Sequence, residues 1–330
     1  MHPSRLFAIA VAAAAFVPAL TQAQAERPQL AFPLACVIGQ TCEVQHYVDR
    51  DAGPAAVDYR CDHRTYDKHN GIDIRLLDMA AQKRGVDVLA AAPGRVARLR
   101  DGEPDVSVRT TGAGAVAGKE CGNGVVVDHG GGWETQYCHL AKGSVRVKPG
   151  DVVQAGTPMG KVGLSGDTEF PHLHMTVRHA GKVVDPFAPA APAGACAAQA
   201  PMWTPAAARA LYYKAGVILN SGFAGAPVSD EAIEAGAIAL PTAESPALVA
   251  YMRVIEPNRG DEFEIAIRGP DGAVLVSQRR APLDRDKAQY FAMIGKKRPA
   301  AGWAKGRYVA DLKVWRGGEP VMRKRVEVVL

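Results

Sequence analysis

Four histidines and one aspartate stand at spacings that suit a metal centre. His69-Asn70-Gly71-Ile72-Asp73 sets a histidine and an aspartate four residues apart. On an extended segment that separation sends both side chains to one face, and Gly71 lets the backbone bend toward a ligand. His172-Leu173-His174 places two imidazoles at i and i+2, on the same side of a strand. His69, Asp73 and His174 would then offer two nitrogens and one oxygen to a single zinc ion. A fourth position would stay open for water, the arrangement of a catalytic zinc site. His172 and His139, the latter in Tyr137-Cys138-His139-Leu140, would lie beside the metal without binding it. Either short motif alone occurs by chance on exposed strands; together and in this order they are a strong signal. His2, His46, His63, His129 and His179 have no spacing partner and read as surface or capping residues.

These residues need strands to hold them. Between 61 and 187, short apolar runs at 87–91, 95–100, 124–129, 133–140, 161–163 and 172–178 are divided by Gly and Pro. Strands at this spacing without amphipathic helices between them predict an all-β domain. Residues 101–122 read as a long loop and 26–60 as a lead-in with few periodic signals. The stretch 188–210 is dense in Ala and Pro, the composition of a linker, and 206–214 could form a short helix. From 211 to 330 alternation returns, with strands at 216–220, 247–255, 261–268, 273–279, 289–294, 306–315 and 321–329. That pattern predicts a small β-sandwich of immunoglobulin-like type. The fold class is therefore mainly β.

The length of 330 residues fits two domains of about 150 residues each. With 48% hydrophobic and 22% charged residues, collagen-like, coiled-coil and disordered chains are excluded. The net charge of +5 is diffuse and gathered in no basic tail, so no nucleic acid partner is expected. Gly112–Lys119 lacks P-loop spacing, and Glu120 stands where Ser or Thr is required.

The first 25 residues read as a secretory signal peptide. Arg5 precedes an apolar run from Leu6 to Leu20, and Ala23-Gln24-Ala25 supplies the cleavage site. The run is too short, and too interrupted by Pro18, to span a bilayer of about 20 residues. Cys36 lies too far beyond it to be a lipidation site, and no membrane span is expected in the mature chain. Export gives the six cysteines an oxidising setting. Cys121 and Cys138 flank a hairpin turning through Gly130-Gly131-Gly132, and folding about that turn sets them nearly opposite each other. A disulfide is expected there. Cys36 with Cys42, and Cys61 with Cys196, are further pairings that spacing leaves open.

The motifs together resemble those of the lysostaphin-type, or LytM-like, zinc metallopeptidases. The resemblance runs in order through His69-Asn70-Gly71-Ile72-Asp73-Ile74, Ala91-Ala92-Pro93-Gly94-Arg95-Val96 and the run from Gly124 to Gly132. It continues through Tyr137-Cys138-His139-Leu140, the run from Val147 to Val153, Ala155-Gly156, Gly163, Ser165-Gly166 and Pro171-His172-Leu173-His174. It covers about residues 61–187. It implies a small antiparallel β domain with a groove over its sheet, zinc ligands at His69, Asp73 and His174, and active-site histidines at His139 and His172. The implied activity is endopeptidase cleavage of the peptide stems or cross-bridges of peptidoglycan. Met175 after H-x-H, Cys138 beside His139 and the long 101–122 loop depart from the family pattern. No H-E-x-x-H is present, so no Glu is implicated as the base.

Two rival readings follow from the same residues. The family also contains non-catalytic members that regulate other cell-wall hydrolases, although all five site residues are present here. The sandwich could instead bind sugars through Trp303 and Trp315, but such aromatics are more often packed. Export with disulfides favours a periplasmic location over full secretion.

Overall fold

A computed structural model describes residues 26–192, 194–196 and 200–330. The signal-peptide segment 1–25 lies outside the described residues. The first half of the chain forms ten strands: β1 (Cys42–His46), β2 (Ile72–Leu76), β3 (Asp87–Leu89), β4 (Gly94–Arg100), β5 (Asn123–Gly130), β6 (Trp133–Leu140), β7 (Val152–Val153), β8 (Pro158–Lys161), β9 (His172–His179) and β10 (Lys182–Val184). Eight join one sheet in the order β1-β2-β9-β6-β5-β4-β7, with β10 also on β9, while β3 and β8 pair separately. The pairings are antiparallel.

Alternation along β2 and β9 divides this sheet into an apolar and a polar face. Ile72, Ile74, Leu76, Leu173, Met175 and Val177 point into the core with Val125, Val127 and Tyr137. Asp73, Arg75, His172, His174 and Thr176 fall between them and therefore face the other way. Both faces of β2 are buried, so a polar cluster is sealed beneath cover rather than left in water.

The lead-in is more structured than its sequence indicated. It supplies β1, the strand paired to β2, and sends Leu30, Leu34, Val44, Tyr47 and Tyr59 into the first core. The Ala/Pro-rich stretch behaves similarly. Met202, Trp203 and Ala207 are buried in that core, and Leu30 bridges Trp203. The expected helix occupies Pro205–Ala210, capped by Thr204. The strand expected at 161–163 ends at Lys161. The 101–122 loop contains two short helical turns, Val108–Thr111 and Ala113–Val116.

The second half carries seven strands: β11 (Val217–Ala224), β12 (Ala247–Ile255), β13 (Glu262–Arg268), β14 (Val274–Arg279), β15 (Gln289–Lys297), β16 (Arg307–Arg316) and β17 (Glu319–Val329). They form sheets β11-β12-β15 and β14-β13-β16-β17. Phe223, Leu248 and Val254 of one meet Phe263, Ile267 and Leu312 of the other in a second core, so the arrangement is a sandwich. Relative to a constant-type immunoglobulin domain, the fourth strand has changed sheets and pairs with the third. Trp303 donates to the Ser245 carbonyl. Trp315 donates to Glu264 beneath Arg279, and both rings are half-buried structural groups.

The two halves meet along a polar seam. Lys214 pairs with Glu43, and both Asn220 and Arg253 donate to the Leu77 carbonyl. Arg75 and Arg253 share Glu234, which sits on the helix Asp230–Ala235.

All six cysteines are paired, as Cys36–Cys42, Cys61–Cys196 and Cys121–Cys138. The last joins residues with Cα atoms 4.8 Å apart, and the Cys121 carbonyl accepts from the His139 amide at 2.9 Å. Replacing both Cys121 and Cys138 by Ala should lower stability by about 3 kcal/mol, the value for closing a loop of this length. Guanidinium unfolding of the oxidised proteins measures this, and a change under about 1 kcal/mol would show that the staple holds nothing the sheet does not.

Candidate metal centre

Antiparallel pairing of β2 and β9 sets Asp73 directly opposite His174 and Arg75 opposite His172. His69 enters from the loop before β2. His69 Nε2, Asp73 Oδ1 and His174 Nδ1 form a triangle with sides of 3.2, 2.9 and 3.2 Å. Ligand bonds of about 2.0–2.1 Å in a tetrahedron need edges of about 3.3 Å, so the triangle fits one zinc ion. Among the described residues this is the group of His, Cys, Asp and Glu side chains that could hold a metal.

Each atom is aimed by a bond at the far side of its residue. His69 Nδ1 donates to the Tyr47 carbonyl at 2.6 Å, which leaves Nε2 with its lone pair toward the triangle. His174 Nε2 donates to Asn70 Oδ1 at 3.0 Å and frees Nδ1. Asp73 Oδ2 accepts from His46 Nδ1 at 3.0 Å. Such outer bonds fix tautomer and ring orientation at metal sites. Gly71 serves the site by its size: a Cβ there would lie 2.6 Å from His174 Nε2. Close approach is what this glycine permits.

His139 and His172 stand together beside the triangle, ring centroids 4.6 Å apart. His139 Nδ1 donates to the Ser165 carbonyl at 2.8 Å, and His172 Nδ1 to the Phe170 carbonyl at 3.0 Å. Each ring thus keeps Nε2 available, and His172 Nε2 lies 3.5 Å from Asp73 Oδ1. His139 holds φ at +62°, a strained backbone for a residue with a side chain. Its amide bond to Cys121 and its carbonyl bond from Gly163 keep it there.

Burial dominates the electrostatics. It pushes the His139 imidazole well below its usual range, assisted by the neighbouring His172 and His174. Burial likewise lowers His172 to about 4, so both rings are neutral at neutral pH. Asp73 is 2% exposed. Burial opposes its charge, yet His69, His172, His174 and His46 around it hold the carboxyl well below the carboxylate range. His46 moves the other way. Burial would lower it, but its bonds to Asp73 and Glu256 raise it to about 9.

The reading of His46 as a surface or capping residue is therefore corrected: it is a largely buried partner of Asp73. No spacing signal marked it, because its partners lie 27 and 210 residues away along the chain. His63, His129 and His179 lie away from the triangle. A cleft opens over His69, His139 and His174, walled by Tyr66, Lys68, Glu120, Gln136, Asp167 and Arg178. The Tyr66 ring stacks on His69 at 4.4 Å and stays half exposed.

Comparison with known proteins places this region. Residues 67–186 match Peptidase family M23. The chain is 32% identical over 129 residues to the cell division protein DipM of Caulobacter vibrioides, a match covering 39% of this chain and 17% of that protein. The chain thus spans under a fifth of that relative's length. A zinc-containing peptidase from Vibrio cholerae is similar at 24% identity and TM-score 0.28, over 43% of this chain and 38% of that one. The catalytic domain of lysostaphin from Staphylococcus simulans is similar at 21% identity and TM-score 0.28, over 43% and 85%. The match to Peptidase family M23 thus falls on the segment that carries the His69, Asp73 and His174 triangle.

Proposed function

We propose that the chain is a zinc-dependent endopeptidase that hydrolyses peptide stems or cross-links of bacterial peptidoglycan. The observation carrying this reading is the triangle of His69 Nε2, Asp73 Oδ1 and His174 Nδ1, with two neutral imidazoles at its flank. These three atoms would hold the ion. When bound, zinc lowers the pKa of a water and polarises the scissile carbonyl. The protein's own part is proton handling and charge stabilisation. A neutral imidazole with a free Nε2 can take the proton of the attacking water. The second can donate from Nε2 to the oxygen that becomes negative on the attacked carbonyl once that nitrogen also carries a proton. His139 and His172 fill these two roles as a pair, each locked by its Nδ1 bond.

The cleft wall carries Lys68 and Arg178 together with Glu120 and Asp167, partners for both the carboxylates and the amines of a peptide stem. The signal-like N-terminus and the three disulfides support export to the periplasm. Likeness to a cell division protein favours one competing reading, a non-catalytic zinc-binding or wall-binding regulator of other hydrolases. Five intact site residues weigh against it.

His69→Ala, Asp73→Ala and His174→Ala should lose both zinc and hydrolysis. His139→Ala and His172→Ala should keep one zinc per chain and lose activity by about 10²–10⁴-fold. Metal analysis and the release of new amine termini from purified peptidoglycan measure the two properties, and full activity in His172→Ala would remove it from this role. Chelation should abolish hydrolysis by the native chain, and added zinc should restore it. One bound zinc with no amine released would favour the regulator.

A further inference from the structure

The second domain reaches the metal centre through one buried carboxylate. Glu256 follows β12 and is 3% exposed. Its side chain crosses the seam, and its Oε1 accepts from His46 Nε2 at 3.2 Å and from Gln45 Nε2 at 2.9 Å. His46 Nδ1 in turn meets Asp73 Oδ2 at 3.0 Å. The path from the sandwich to Asp73 is therefore two hydrogen bonds long.

Three details show that this path is built. Neighbours on a regular strand point to opposite faces, yet Gln45 and His46 both reach one carboxylate oxygen. A bulge in β1 between Val44 and His46 makes that possible. Gln45 is also locked, since its Oε1 accepts from Arg75 Nη1 at 3.2 Å and its amide must face Glu256. Glu256 itself sits at φ +51°, a strained conformation held by its amide bond to the Ala288 carbonyl. The seam has other ties, Lys214 to Glu43 and Arg253 to Leu77, which do not lead to Asp73. Docking alone gives no reason to bury a strained carboxylate against His46.

We infer that Glu256, acting through His46, is a positioning residue for Asp73 and makes the second domain part of the metal site. With Oδ2 engaged by His46, the carboxylate presents Oδ1 alone to the triangle and is kept from turning. This rests on the proposed reading of Asp73 as a ligand.

The test uses the full chain and zinc itself, with affinity measured by competition against a chromogenic chelator and folding of the metal-free protein followed by thermal unfolding. Outer partners of metal ligands typically matter by about 10–100-fold in affinity. His46→Ala and Glu256→Ala should weaken zinc binding by about tenfold or more. Lys214→Ala, which cuts a seam ion pair off the path, should change it less than about twofold. Glu256→Gln preserves shape and folding but gives up the charge-assisted bond, and should weaken binding by about threefold or more. Affinity closer to native than that in Glu256→Gln overturns the inference, even if the alanine variant does not fold. Equal weakening by Lys214→Ala overturns it as well, by reducing the effect to domain docking. A native chain that binds no zinc overturns the metal reading and this inference together. Native binding with unchanged Glu256 variants overturns this inference alone.

Discussion

Asp73 is a carboxylate removed from water and met by imidazoles on every open side. Its Oδ1 lies within 3.5 Å of His69, His172 and His174, and its Oδ2 within 3.0 Å of His46. A buried charge of this kind is tolerable only when it is paired and fully hydrogen-bonded. The surrounding architecture meets that demand. The β2–β9 pairing supplies His172 and His174 from across the sheet, the loop before β2 supplies His69, and β1 supplies His46. Remove any one strand and the carboxylate loses a partner as well as a wall.

The same constraint explains why both faces of β2 are covered. Its apolar side, Ile72, Ile74 and Leu76, anchors the first core. Its polar side, Asp73 and Arg75, cannot be left half dry without partners. Arg75 lies over the Phe170 ring at 4.0 Å and pairs with Glu234 of the second domain. Phe170 in turn offers its carbonyl to His172. The sandwich is thus packed, through Arg75, against the same face of β2 that carries Asp73. The second domain touches the two residues, Arg75 and His46, that flank and hold Asp73.

Two residues with strained backbone belong to this arrangement. His139 and Glu256 both take left-handed backbone conformations, one beside the triangle and the other at the far end of the His46 path. Each is over-determined by neighbouring bonds, His139 through Cys121, Gly163 and Ser165, and Glu256 through Ala288, Gln45 and His46. Such residues persist only where the surroundings insist on them. The Cys121–Cys138 staple belongs to the same economy, since it ties the strand end that carries His139.

Local pattern was enough to read most of the strands and the hairpin disulfide, and to single out five residues that the fold brings together. Side chains two or four residues apart on an extended chain share a face whatever surrounds them, and His172, His174, His69 and Asp73 obey that rule. Turn glycines and alternation likewise act over a few residues, so the sandwich strands were legible too. His46, Glu256 and Gln45 were not, because each matters only through contacts made far along the chain and, for Gln45, through a bulge that reverses its expected side. The role of Gly71 and the sheet exchange of β14 were hidden for the same reason. Spacing on one strand determines which residues can act together; only the packing of one domain against another decides which of them hold the others in place.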